Sequence, residues 1–386
     1  MSHGKAGASC APTIGLISSH EWKGGAAMSL FSFSPRVRAG AALFAPALLA
    51  CGAAQAQAPG QQQETVHFGT YENDSFFDTD RFYTNGVQLS IKRSRDQRGD
   101  FAKALTRRAC IWLDCEDSVL LTSQTNYGQL MYTPSNITIT AAQPEDRPWA
   151  GLLYVEHAYA LLSPDRRTLT TLSAQAGVTG PASLAEEAQK LFHKIMDRPA
   201  PQGWHNQIGG SLAVMASAER RTALESLSAE LPGDVQLNTA GYWRLAAGNT
   251  MTYAAGGLAV VVGKDLPAVS PPPPGIGNKL AKDAFGPTTC MLKWLQCTAF
   301  GVVESRLMGR NIFVDGRLFH DDPKVKRRNF VTDLMVGMRL DFPDTRTASH
   351  GPWFVQFKIT RRSREFRSSI PVPRHRMAAI TLGTEF

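Results

Sequence analysis

Residues 71–86 read YENDSFFDTDRFYTNG. Glu72, Asp74, Asp78 and Asp80 stand there beside Asn73, Asn85 and the Thr84 hydroxyl. Carboxylate, amide and hydroxyl oxygens are the donors that a hard cation such as Ca2+ takes. Glu72, Asn73, Asp74 and Thr84 therefore form a candidate metal set that Asp78 and Asp80 could extend. The spacing D-S-F-F-D-T-D is not that of an EF-hand, so composition alone leaves a solvated acidic loop equally open. A second group lies in PASLAEEAQKLFHKIMD, residues 181–197. Gln189 and His193 are four apart on a helical pattern and share a face, and Glu186, seven before His193, falls on it too. Imidazole suits a general base near neutral pH, and a surface histidine on a capping helix is the alternative. No G-x-S-x-G elbow occurs, and neither HGPW nor GWHNQ pairs a serine with a histidine. For a hydrolase, a base-activated water with a metal electrophile is then the simpler scheme.

The elements that must hold these residues are strands. TVHFGTY precedes the acidic stretch and GVQLSIK follows it, both with period-two alternation. Similar segments recur at 64–72, 83–93, 124–132, 149–162, 168–178, 206–218, 234–246, 249–262, 297–308, 330–341, 352–361 and 375–386. The last, HRMAAITLGTEF, puts Ala378, Ile380, Leu382, Thr384 and Phe386 on one face and closes on an aromatic residue. An even strand number with a terminal aromatic strand predicts an all-β fold, a transmembrane antiparallel β-barrel of about 12 strands. A soluble sandwich is the competing architecture. Two helices are expected. One spans 181–197, with Pro181 at its start and Ser183 as N-cap, in a connection on the extracellular side. The other is a polar connector at 217–230. SPPPPGIGNKLAKDAFGP, residues 270–287, reads as a loop.

The whole chain fits this reading. It has 386 residues, 43% of them hydrophobic and 19% charged, with a formal charge of +8. No Lys/Arg run has the density of a nucleic-acid arm, so no nucleic-acid partner is expected. Residues 1–56 read as an N-terminal extension and signal peptide: Met28 is the expected start, Arg36 and Arg38 precede an apolar run, and a small-x-small site ends at Ala56. LLAC at Cys51 is a competing lipobox. Residues 57–386 then form the barrel domain. Cys110 with Cys115, and Cys290 with Cys297, are spaced for two local disulfides in an oxidising periplasm. Neither pair is CxxC, which disfavours zinc.

Several motifs together resemble a known family. They are YENDSFF with TDRFYTNGVQLS (71–90), DRPWAG (146–151), QAGVTGPASLAEEAQKLFHKIM (175–196), GWHNQ (203–207), RNIFVDG (310–316), SREF (363–366) and the closing TLGTEF. In order and spread they resemble the LpxR-type lipid A 3′-O-deacylases of the bacterial outer membrane. The resemblance implies a twelve-stranded barrel in the outer membrane, lipid A or lipopolysaccharide as its partner, and Ca2+-dependent hydrolysis of the 3′ acyloxyacyl ester. It places the metal on Asn73 and Asp74 with Thr84 beside them, the catalytic base on His193, and a substrate-region arginine on Arg147. A monomer is expected. The chain departs from the family pattern at His205, where the family has Asp, and in DRPAPQ, which lacks acidic and aromatic partners for the base. An outer-membrane phospholipase, and a non-enzymatic barrel or channel, are the alternatives.

Overall fold

The computed structural model describes residues 65–77, 79, 81–94, 99–269, 295–342 and 353–385. The expected signal segment, the 270–287 loop, Asp78, Asp80, Cys290 and Phe386 lie outside these residues. Strands β1 (Thr65–Asn73), β2 (Phe82–Arg93), β3 (Val119–Thr133), β4 (Ala150–Leu162), β5 (Thr168–Thr179) and β6 (Leu212–Ala223) make the first half of one sheet. Strands β7 (Val235–Gly248), β8 (Met251–Gly263), β9 (Gln296–Asn311), β10 (Phe330–Phe342), β11 (Trp353–Arg362) and β12 (His375–Glu385) complete it. Each strand pairs antiparallel with its neighbour in the chain. β12 then returns to β1, from Val66↔Glu385 to Asn73↔Ala378. The sheet has 13 strands in all; the extra one, Ala229–Leu231, is a short flap on β7, and the other twelve form a closed ring. Closure pairs every strand and removes the edges.

Alternation along the strands shows which solvent the ring was built for. On β10, Leu334, Val336 and Met338 are 51%, 50% and 43% exposed, while Asp333, Met335 and Arg339 between them are 3%, 6% and 0% exposed. Leu212, Leu245, Leu258, Val303 and Ile359 are likewise exposed on other strands. The outer wall is apolar and the inside is polar, the reverse of a soluble sandwich and the pattern of a barrel in lipid. Among the described residues no helix is long and apolar enough to cross a membrane.

The inside is filled by one run of alternating charges. Arg221 meets Glu219 at 3.4 Å, Glu219 meets Arg244 at 2.5 Å, and Arg244 meets Glu304 at 3.4 Å. Glu304 meets Arg306 at 3.4 Å, Arg306 pairs with Asp333, and Asp333 meets Arg362 at 2.9 Å. Arg362 reaches Glu365 at 3.6 Å, and Glu365 holds Arg147 at 2.6 Å. A buried charge left alone costs several kcal/mol, so a run of opposite signs is what lets so many charges share one interior. Glu72 is satisfied separately, by Lys358 Nζ at 2.8 Å and the Tyr83 hydroxyl at 3.0 Å.

Two helices and one correction complete the fold. Helix α1 (Asp100–Leu113), in the β2–β3 connection, was not expected from the sequence; the Cys110–Cys115 disulfide ties its C-terminal end. Helix α2 (Ala185–Ile195) lies in the β5–β6 connection, as expected. Ser183 is not its N-cap: its hydroxyl donates back to the Gly180 carbonyl at 2.6 Å within a preceding 3-10 turn, Gly180–Ser183, and Leu184 takes the cap position. The expected helix at 217–230 is strand β6 followed by a short turn, Glu225–Leu227. Its Ala, Glu and Arg content favours a helix, but Glu219 and Arg221 find partners only by pointing into the ring.

Glu365 gives this interior a measurable pH signature. It lies between β11 and β12. Burial alone would raise its carboxyl, but Arg147 and Arg362 outweigh burial and bring it from 4.5 down to about 2. A depressed carboxylate contributes stability that is present above its unfolded value and is lost as pH falls through its folded value. Glu365 should therefore contribute a loss on the order of 3 kcal/mol to the acid destabilisation of the purified barrel between pH 4.5 and pH 2. Glu365→Gln should melt lower at neutral pH, because Arg147 is left buried and uncompensated, and should show a flatter decline over that acid window. Equal slopes for the two proteins in detergent melts would show that Glu365 is not the titrating group.

Candidate active site

The acidic stretch divides between the two faces of the wall. Glu72 points inward to Lys358. This corrects its place among the expected metal oxygens, since a period of two sends alternate residues to opposite faces. Tyr71 and Asn73 face outward. Asn73 donates from Nδ2 to the Tyr71 hydroxyl at 2.8 Å and accepts the Ser75 N–H on Oδ1 at 2.6 Å. Asp74 is fully buried, and its Oδ2 accepts the Thr79 hydroxyl at 2.8 Å and the Arg81 N–H at 2.9 Å. One carboxylate thus ties the two arms of the β1–β2 connection together. Phe82 follows at φ 67, in the left-handed region. The β2–β3 register then slips between Tyr83 and Asn85. The slip leaves Tyr83 inside on Glu72, and it lets the intervening Thr84 place its hydroxyl 2.6 Å from that of Thr133.

Helix α2 covers this patch from outside. Gly180 turns the chain at φ 69, where a Cβ would sit 2.5 Å from the Gly210 nitrogen. Gly151 lies so close under the helix start that a Cβ would fall 2.1 Å from Ser183 Oγ and 2.5 Å from Ala185 Cβ. The Trp149 and Trp204 rings lie 5.0 Å apart, and Trp204 Nε1 donates to Gln189 Oε1 at 2.7 Å. DRPWAG, the glycine-rich start of the helix and GWHNQ are thus one packing unit around Met131, Ile137, Trp149, Ala185 and Trp204. His193 is 3% exposed. Its Nδ1 lies 2.7 Å from the Pro199 carbonyl, which only accepts, so Nδ1 carries the proton and the neutral ring has its lone pair on Nε2. Phe192 packs against Tyr71 with ring centres 6.2 Å apart.

Asn73, Thr84 and His193 line one small cavity between α2 and the outer wall, together with Ser75, Asn85, Gln189, Phe192 and Arg198. Asp74 adjoins it through Asn73 without lining it. Arg147 is placed elsewhere: it is fully buried, bonded to Glu365 and stacked 4.3 Å over the Tyr132 ring. Glu186 turns to Lys190 at 2.5 Å and is not part of the cavity. His205 is exposed beside Asn206. Asn85 and Arg198 had no role assigned from sequence, because only the register slip and the helix end bring them here. The oxygen donors at hand, an Asp carboxylate, an Asn amide and a Thr hydroxyl, are of the kind Ca2+ accepts. Among the described residues no three His, Cys, Asp or Glu gather to hold a metal by themselves. The set thus fits Ca2+ in donor type and needs water or substrate oxygens to complete a coordination shell.

Comparison with known proteins agrees with this architecture. LpxR from Salmonella typhimurium matches with a TM-score of 0.63 and 17% identity over 83% of this chain and 100% of that one, a likeness of fold. The translocator domain of the autotransporter NalP from Neisseria meningitidis reaches a TM-score of only 0.37 at 8% identity, over 92% of this chain and 99% of that one. No curated protein sequence matches. The model of the family described as outer membrane protein LpxR matches residues 42–386. With that span, a closed twelve-stranded ring and an apolar outer wall, the chain belongs to the LpxR family of outer-membrane β-barrel proteins.

Proposed function

We propose that the protein is a Ca2+-dependent ester hydrolase that removes the 3′-linked acyloxyacyl group of lipid A in the outer leaflet. Membership of the LpxR family and the likeness to Salmonella LpxR support this reading. The observation that carries it is the position of the cavity. Asn73, Thr84 and His193 line one small cavity on the outer face of the wall, the face that meets lipid, near the rim opposite the one where Val66 pairs with Glu385. The interior, by contrast, is crossed by ion pairs, which argues against a solute channel.

In this scheme Nε2 of His193 takes the proton from the attacking water. The Pro199 carbonyl fixes the ring through Nδ1 and stabilises the imidazolium as it forms. Trp204 holds Gln189 in place beside it. Asn73, Asp74 and Thr84 would hold the Ca2+, which when bound supplies an electrophile for the ester carbonyl and its developing negative charge. A monomer is part of this reading: the twelve strands of the ring close on one another, and only the three-residue flap Ala229–Leu231 keeps an edge.

Two outcomes test this reading. The lipid A mass spectrum of cells carrying the protein should lose an acyloxyacyl mass, and chelation of Ca2+ should abolish the loss. His193→Ala should slow the reaction by about 100-fold or more, as expected for removal of a general base. An unchanged lipid A spectrum with folded protein in the membrane, or loss of phospholipid acyl chains instead, would sink the proposal. Gly151→Ala should leave the heat-dependent gel mobility of the folded barrel in place. By pushing α2 off the wall it should still cut turnover by about 100-fold, the scale expected for a displacement near 1 Å. Full activity in that variant would show that α2 need not sit where it does.

A further inference from the structure

The same rim carries a group of arginines that the hydrolytic scheme does not use. Arg361 and Arg376 are direct cross-strand partners on β11 and β12. Both are exposed and face outward, because their neighbours Arg362 and Met377 point into the ring. Like charges directly opposite on one face of a sheet repel. Just above them Arg364 and Arg374, from the β11–β12 connection, and Arg328, from the β9–β10 connection, line a cavity of about 380 Å³ with Phe330, Thr332 and Ser363. Its walls are fixed. The Thr332 N–H donates to Ser363 Oγ at 2.9 Å, and the Arg328 N–H donates to the Glu365 carbonyl at 2.8 Å. None of the five arginines pairs with a carboxylate among the described residues, although Arg362, one residue from Arg361, is paired with Asp333 inside. Below them the wall turns apolar at once: Phe330, Leu334 and Ile359 are all exposed.

We infer that this belt binds the phosphate of an anionic lipid headgroup whose acyl chains lie along the apolar wall of β10 and β11. Clustered arginines that pair with no carboxylate among the described residues call for an anion, and guanidinium groups match phosphate oxygens with paired N–H donors. The exposed Phe330, Leu334 and Ile359 directly beneath them call for hydrocarbon, so the two halves together fit an amphiphile and not a free anion. Arg376 also sits 5.2 Å over the Phe77 ring, in the turn that follows Asp74, so the belt reaches the connection that bears the candidate active site. A lipid held there would be retained beside that site. The inference rests on the outer-membrane fold and does not require that hydrolysis take place.

Binding to a protein that cannot hydrolyse separates the two ideas. The His193→Ala protein in nonionic detergent would be titrated with bis-phosphorylated lipid A, with the same lipid stripped of phosphate, and with inorganic phosphate, and read by native mass spectrometry. The triple variant Arg361→Gln/Arg374→Gln/Arg376→Gln in that background should bind the phosphorylated lipid about 100-fold more weakly, near fivefold for each arginine removed. The stripped lipid should bind both proteins weakly. Without lipid, the triple variant should melt at the same or a higher temperature than its parent, since a repulsion has been removed. Phosphorylated lipid should then raise the melting temperature of the parent alone. Equal affinity of parent and triple variant would overturn the inference, as would equal binding of the stripped lipid. Full displacement of the lipid by equimolar inorganic phosphate would reduce the belt to a small-anion site and overturn it too.

Discussion

A strand in a bilayer has no water for its backbone, so every N–H and carbonyl must be met by another strand. The return of β12 to β1 meets that requirement, and most other features follow from it. Once the ring closes, one face of each strand meets hydrocarbon and the other meets the side chains of facing strands. Apolar residues then belong outside, and the interior must satisfy whatever polar groups it receives. The alternating run from Arg221 to Arg147 does this by placing each charge between opposite ones.

Ion pairs cross the interior, and the candidate site lies on the outer surface. The β1–β2 connection shows how one short stretch serves both sides. Glu72 points inward and joins the polar interior, and Asn73 points outward and lines the cavity. The register slip at Tyr83 and Asn85 repeats the division on β2: Tyr83 stays with Glu72, and Thr84 turns outward. Helix α2 then closes the cavity from the lipid side. It is held there by glycines too close to the wall for a side chain and by the Trp149–Trp204 pair. The arginine belt on β10–β12 extends the same rim with charges that have no use for a partner inside the ring.

Much of this was legible in the chain. The period-two segments located ten strands to within three residues, because lipid outside and polar groups inside impose strict alternation; β6, expected at 206–218, runs from Leu212 to Ala223. β3 was expected to start at 124 and starts at Val119, a small error of the same kind. The failures share one cause. SAERRTA in β6 has the composition of a helix, and only its cross-strand partners Arg244 and Tyr242 on the adjacent β7 make it a strand. Helix α1 lies in a connection where no alternating pattern marks its limits. Glu72 was grouped with the metal oxygens because proximity in sequence does not tell which side of a strand a residue faces until the register is known.

Periodicity by itself pointed to a transmembrane antiparallel barrel with a soluble sandwich as its competitor, and it was the resemblance to the LpxR-type family that singled out Asn73, Asp74, Thr84 and His193 from the acidic stretch and the helix. The first rests on local periodicity and the second on motifs in a fixed order, both of which are written in the order of amino acids. Only the tertiary structure decided that Asn73, Thr84 and His193 share one cavity on the outer face while Arg147 stands apart on Glu365. It likewise decided that Arg361 and Arg376 face each other across two strands. Such pairings join residues from distant parts of the chain, and they are set by ring closure, strand register and the seating of α2, which no local pattern encodes.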